Sequence, residues 1–427
     1  MPLCIDRAGR SGLEWVAREG FVTAGQAKIT YSIWRICYQF YCPMDRIESI
    51  NPDRIRWCAA ERGMPLDDLA TEVGIPAKAL AKLMEGGTGL TFAQLRKIAD
   101  YFGRGVLFFL DQGPIDESRV NSVQYRTLTN QKPGISNAIR KLIERVERQR
   151  ELYLALREEL HSDDYPTFRP INVRADQPVA AATSVRAWLN LGNANNTFDT
   201  FRAAIEAKGI LVFRSNGYAG PWQIAKDSPI LGFSLYSDVC PVIFVKKSRW
   251  EAQQTFTLMH ELGHLMLHQA SSIDDDNDMH SRHGHERDAN AFAGNLLVPD
   301  AWLTQIRDNT RPDAVEQFDT WLAPYRRQWG VSGEVILRRL LDAGRLPRES
   351  YTAYRSYVSS LNFDNDNPGG TRTYRHREPK YIFGDMFVGM VLNALGARRI
   401  TTTKACSYLD GLKLSDLHTL ERHVAGA

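Results

Sequence analysis

Between Asn51 and Leu110 the apolar positions fall into short blocks separated by glycine. Ile55, Cys58 and Ala59 make the inner face of a first predicted helix, capped by Asn51, with Pro52 at its first position and Gly63 as its stop. Leu66, Leu69, Ala70 and Val73 predict a second helix that ends at Gly74. Ile75-Pro76 opens a third around Leu80 and Leu83, closed by Gly86-Gly87. Thr91 caps a fourth, with Leu95, Ile98, Ala99 and Phe102 inside. Short helices with a tight turn between the second and third predict a helix-turn-helix arrangement.

After Gly113 a polar bridge leads to Ile139, Leu142, Ile143, Val146, Tyr153, Leu156 and Leu160 at near-helical spacing, which predicts a connecting helix. Residues 183–209 read as two more helices, and 210–214 and 241–247 as strands rich in Val, Ile, Leu and Phe. An α+β region therefore starts here and continues as helices to about Val358. The turn-rich stretch 362–379 precedes a last helical segment, 382–424. The pattern predicts a multidomain, mainly α chain. An all-α helix-turn-helix domain covers 44–113, a connecting helix and linker 114–182, an α+β domain 183–358, and a linker with a helical C-terminal module 359–427. Residues 1–43 resemble nothing that follows, and Met44 is the expected natural start, which makes them an upstream extension.

Composition narrows the function classes. A chain of 427 residues can bury two or three cores. Lys plus Arg number 53 against 50 Asp plus Glu, a net +3 that excludes a polyelectrolyte mode of binding nucleic acid or membrane. The six cysteines form no C-x-x-C pair, which suits a reducing cytoplasm. Charges through the first 19 residues leave no signal-peptide core, and the apolar stretch 29–40 is interrupted by Arg35 and too short to span a bilayer. No membrane association is expected.

The chemistry concentrates in one helical run. Ser248-Arg249-Trp250-Glu251 reads as a capping box that opens a helix through Phe256, Leu258, Met259, Leu262 and Leu265. It contains His260-Glu261-Leu262-Gly263-His264. Histidines four apart project from one helix face, so both imidazoles can reach a single metal ion. Three residues at fixed spacing arise by chance in roughly one chain in a hundred of this length, so the surroundings must decide. A catalytic zinc needs a third protein ligand and keeps its fourth position for water. His268 lies two turns beyond His260, about 12 Å along the axis, too far to share that metal. Its expected role is packing or support of a ligand.

Glu286 is the preferred third ligand, because 286–293 reads as another helix with Ala289, Phe292 and Ala293 inward and a carboxylate at its start. Asn290, one turn later, could then hold a ligating histidine by its distal N–H. His280, His283 and His285 are the competing ligands. The acidic run 274–278 between them is expected to be a solvated loop. A buried glutamate flanked by two same-face histidines would be a costly core without a metal.

The segment Phe256 to His268, with Glu286-Arg287-Asp288-Ala289-Asn290-Ala291-Phe292-Ala293 and Leu296-Leu297-Val298-Pro299, resembles the ImmA/IrrE family of zinc-dependent endopeptidases. The wider similarity runs from about Thr183 to Gly344 and includes the helix 331–340. The resemblance implies a zincin-like, gluzincin-type domain holding one zinc per chain on His260, His264 and Glu286, with Glu261 as general base. It also implies a macromolecular substrate, since family members cut a partner transcriptional repressor in mobile-element or stress systems. The expected partner is a protein encoded in an adjacent gene, such as a repressor or antitoxin. The alternative is a non-cleaving DNA-binding repressor or antitoxin whose zinc site is structural or vestigial. The 382–424 segment is similar to the tail of longer members of that family.

Leu69-Ala70, Gly74-Ile75, Leu80, Leu83, Glu85-Gly86 and Ile98-Ala99 resemble the XRE (Cro and phage-repressor) helix-turn-helix family over roughly 51–110. These positions fill the core. The third helix offers Lys78 and Lys82 to phosphates but no Arg, Asn or Gln to read bases. Residues 44–113 hold nine Lys plus Arg against ten Asp plus Glu, a local charge of −1. Double-stranded DNA and a docked protein therefore both stand as partners of this unit. DNA-binding proteins of this type often read two half-sites, which makes a homodimer the assembly to test.

Overall fold

The computed structural model describes residues 46–425 apart from 48, 62–63, 88, 103, 114–127, 129–130, 133–134, 162–164, 193–195, 282, 362–371 and 373. The expected extension over 1–43, the start at Met44, the stop at Gly63 and most of the turn-rich 362–379 stretch lie outside the described residues. The chain divides into two compact units, Met1–Glu117 and Ser118–Ala427. Its described part is mostly helical, with one small mixed sheet. Among the described residues no helix is long and apolar enough to cross a membrane.

The first unit contains α1 (Pro52–Glu61), α2 (Leu66–Glu72), α3 (Ala77–Met84), α4 (Phe92–Phe102) and α5 (Val106–Leu110). Their inward faces, with Ile55, Leu69, Leu80, Leu95, Ile98 and Phe109, make one apolar core. Asn51 Oδ1 accepts the Asp53 amide at the start of α1. At α4, Thr91 Oγ1 accepts from the Gln94 amide while Gln94 Oε1 accepts from the Thr91 amide, a closed capping box. Gly74, at φ +61°, ends α2 in the left-handed conformation that the turn into α3 requires. Lys78 and Lys82 are exposed on α3.

The second unit is built on a four-stranded sheet of β1 (Leu211–Arg214), β2 (Ile230–Leu235), β3 (Val242–Val245) and β4 (Ser272–Asp275), in the order β1-β3-β2-β4. The β1–β3 pair is parallel and the other two pairs are antiparallel. Its two faces serve different cores. Leu211, Phe213, Phe233, Val242, Phe244 and Ile273 point one way, into a core shared with α6 (Asn137–Glu159), α15 (Glu378–Gly396), α16 (Thr402–Tyr408) and α17 (Leu414–Ala425). Val212, Ile243 and Val245 point the other way. That second core is completed by α7 (Pro178–Trp188), α8 (Phe198–Glu206), α9 (Glu251–Gly263), α10 (Gly284–Leu297), α12 (Phe318–Trp329), α13 (Gly333–Asp342) and α14 (Arg348–Ser360), with the short α11 (Asp300–Leu303) beside them.

The helix α15 breaks at Gly384, where φ is +77° and a Cβ would collide with Glu206 Oε1. Arg202 fills the break: Nε donates to Glu206 and the two terminal nitrogens to the carbonyls of Lys380, Tyr381, Ile382 and Val212. Phe383 then packs edge-on against Phe213 and Trp222, Phe387 edge-on against Phe213, and the two rings tilt against each other. Each such buried ring contributes about 1.5–3 kcal/mol through area alone.

The capping box expected at 248–251 does not form. Trp250 occupies the cap position of α9 without a side-chain bond, and Glu251 Oε1 instead accepts the Phe198 amide at the start of α8. The carboxylate serves the neighbouring helix because the orphan amide there lies within its reach.

Candidate metal centre

The α9 face of the sheet loses bulk where α9 presents its polar stripe. Gly232 pairs with Asp274, and Ser234 with Ser272, across β2 and β4. A Cβ at Gly232 would stand 2.8 Å from both Glu261 Oε1 and Thr257 Cγ2. Only a residue without a side chain lets Glu261 lie against the strand. On the opposite side of α9, a Cβ at Gly263 would meet Phe292 and Ala289 at 3.1 and 3.2 Å, so this glycine permits the close crossing with α10.

That crossing brings the histidines to Glu286. His260 Nε2 and His264 Nε2 are 3.0 Å apart, and Glu286 Oε2 lies 3.1 Å from the first and 3.3 Å from the second. A further carboxylate joins them: Asp274 Oδ2, on β4, is 3.6 Å from each histidine Nε2. Among the described residues these four form the group of donors able to hold a metal ion. His260 and Glu261 are 0 % exposed and Asp274 1 %.

The electrostatics show what such a set lacks. Burial pushes the Glu261 carboxyl well above its usual range, and the nearby Asp274 carboxylate pushes it the same way. Burial raises Glu286 too, but its hydrogen bonds with His260 and His264 and their charge outweigh that and hold it far below the ordinary carboxylate value. His264 is held up by Glu286 and Asp274 against the opposing effect of burial. Both Glu261 oxygens, Asp274 Oδ2 and His260 Nδ1 are buried with no hydrogen-bond partner. Convergent imidazoles and carboxylates with orphaned lone pairs fit a divalent cation.

After Gly263 the backbone widens into a π-helical turn, His264–His268. This is a local distortion typical of functional sites. It sets His268 Nδ1 3.1 Å from His264 Nδ1, and the His268 ring stacks on His285 at 4.0 Å. Burial, with His264 and His285 adding their charge, lowers the His268 pKa to about 4, so it supports His264 as a neutral ring.

Other expectations are redirected. Asn290 donates to the carbonyls of Asp278 and Ser281 and bonds neither His260 nor His264; it secures the loop before α10. His280 lies 3.5 Å from Glu334, His285 stacks on His268, and His283 is exposed at the start of α10, so none of the three joins the cluster. The acidic run is not a solvated loop. Its first half is edge strand β4, which turns Asp274 into the site, and Asp275 and Asp278 both bind Lys132. Asp274 went unnoticed in the sequence because a run of acidic residues looks the same whether it is strand or loop. The Ser272-Ile273-Asp274 alternation, with Ile273 buried on the other face, was the available signal.

Residues 205–341 match the model of the Peptidase_M78 family, the IrrE N-terminal-like domain. The chain is also similar to the "Uncharacterized immunity region protein 2" of Bacillus phage phi105, 33% identical over 92 residues. That alignment takes in 21% of this chain and 56% of the phage protein, so the chain spans about half the length of the relative it matches. All four donors lie within the segment that matches the peptidase family.

Proposed function

We propose that this chain is a cytoplasmic zinc-dependent endopeptidase, carrying a helix-turn-helix module, that cleaves a specific regulatory protein such as a repressor or antitoxin encoded in an adjacent gene. The observation that carries this reading is the convergence of His260, His264 and Glu286 to within 3.0–3.3 Å of one another beside the fully buried Glu261. A zinc ion held by His260 Nε2, His264 Nε2 and Glu286 Oε2 would supply a Lewis acid that polarises a peptide carbonyl and acidifies a water. In this reading Glu261 moves the proton: its carboxylate takes one from the attacking water and hands it to the leaving amine nitrogen. Burial and the Asp274 carboxylate raise Glu261, and the positive charge of a bound cation beside it would oppose that rise and favour the carboxylate that accepts the proton. Glu261→Gln is expected to keep the fold and the metal while abolishing cleavage of a co-expressed partner. Equal cleavage by both forms would remove Glu261 from the chemistry.

A second reading, a non-cleaving repressor or antitoxin with a structural metal, is favoured by one observation, the fourth donor Asp274. It predicts metal binding without cleavage in any setting. For the helix-turn-helix module, several basic side chains are already engaged within the unit. Arg46 donates to the Gly89 carbonyl, Arg54 to Asp111, Arg56 to Asp53 and the Met84 carbonyl, and Lys97 to the Gly74 carbonyl. This favours protein docking over a broad phosphate footprint. If the unit does bind duplex DNA through Lys78 and Lys82, replacing either lysine by alanine should reduce the salt slope of binding by about 1. No mobility shift at low salt with DNA upstream of its own gene supports docking.

A further inference from the structure

The four donor atoms converge on one small volume, all within 4.8 Å of one another. Zinc bonds of about 2.0–2.1 Å in a tetrahedron separate the ligand atoms by about 3.3 Å. Here the separations are 3.0, 3.1 and 3.3 Å among His260, His264 and Glu286, and 3.6 Å from Asp274 to each histidine. Asp274 Oδ1 is committed to the Ser272 hydroxyl, while Oδ2 is buried, unpartnered and turned to the cluster. Resting on the zinc reading above, we propose that Asp274 is the fourth protein ligand, occupying the position a catalytic zinc keeps for water. The folded chain is then a closed, latent centre that opens when β4 moves.

The strand that carries Asp274 is suited to such movement. It lies at the sheet edge, has four residues, and is paired to β2 through a register shift between Ile230 and Gly232. Short edge strands open at low cost. What holds it is a clasp from the segment preceding α6. Gln131 donates to the Ser271 carbonyl on one side of Asp274, and Lys132 binds Asp275 and Asp278 on the other. Leu128 anchors the same segment in the core beneath the sheet. A partner that draws Leu128, Gln131 and Lys132 away would free both flanks of Asp274 at once.

The test uses the full-length chain loaded with zinc or cobalt(II), and a small hydroxamate that needs an open metal position. Metal affinity is measured by chelator competition, and hydroxamate binding by titration of the cobalt spectrum. Asp274→Asn is expected to weaken metal binding at least tenfold and to strengthen hydroxamate binding at least tenfold over wild type. Lys132→Met, remote from the donors, is expected to strengthen hydroxamate binding severalfold, with Lys132→Arg behaving as wild type. Metal-loaded wild type that binds hydroxamate as tightly as Asp274→Asn overturns the proposal while leaving the zinc reading intact. So does tight hydroxamate binding to wild type alone, should the Asn variant fail to fold. Wild type that binds no metal overturns both.

Discussion

Two clusters of buried charge in the second unit have the same ingredients and opposite states of satisfaction. Around Arg202, every guanidinium N–H has an acceptor: Glu206 and four backbone carbonyls. Glu206 also accepts the Met386 amide. Around His260, by contrast, Glu261, Asp274 Oδ2 and His260 Nδ1 are buried and unpartnered. Burial alone therefore does not mark function. A complete network is structural, here closing the break in α15, while an incomplete one at the same depth awaits a ligand.

The largest expected effect breaks the complete network. Arg202→Met leaves Glu206 buried without its partner and should cost about 3–5 kcal/mol in chemical denaturation. That loss should be the same with and without metal. Removing metal from wild type should act on the other cluster only. Zinc at a thousand times its dissociation constant should stabilise the second unit by about 4 kcal/mol, and a chelator should reverse this. A metal-dependent change of equal size in the His264→Ala variant would contradict the assignment.

A third test uses pH. Burial pushes Glu206 up to about 7 despite Arg202 and the Met386 amide. The folded state thus holds this proton more tightly than the unfolded chain, whose carboxyl titrates near 4.3. The resulting stability is present in full below about pH 4 and is lost as pH rises through 7, by at most about 4 kcal/mol. Metal-free wild type should lose stability between pH 5 and 8 relative to Glu206→Gln, in which that slope is absent. The smallest effect is packing at the incomplete cluster. Gly232→Ala, which drives a methyl against Glu261 and Thr257, should cost about 1–3 kcal/mol. It should also lower metal affinity, as a surface substitution such as Lys78→Ala should not.

What the sequence made legible follows from which signals are local. Helix faces were readable because period and capping reside in neighbouring residues, as in Leu95, Ile98 and Phe102 or the Thr91–Gln94 box. Two histidines four apart state their own geometry, and a helix opening at Glu286 was visible in its apolar spacing. Strands β2 and β4 were missed because their apolar pattern is interrupted: Gly232 and Ser234 break β2, and β4 runs into the acidic stretch after Ile273. With them went Asp274, whose orientation is set by pairing with Gly232. The Ser248 cap failed for a related reason: Glu251 found a better amide on another helix. The dependence of α15 on Arg202 could not be read from either segment, since the two lie 178–180 residues apart.

The central claim is that His260, His264 and Glu286 hold a metal used for proteolysis by Glu261. The most direct measurement co-expresses the chain with each adjacent gene product and follows the products by intact-mass spectrometry. Wild type, Asp274→Asn and Asp274→Asn/Glu261→Gln are compared, all zinc-loaded. The account predicts a defined cleavage of one partner, strongest in Asp274→Asn and abolished when Glu261→Gln is added. Intact partners in all three, or identical cleavage with and without Glu261, would contradict it.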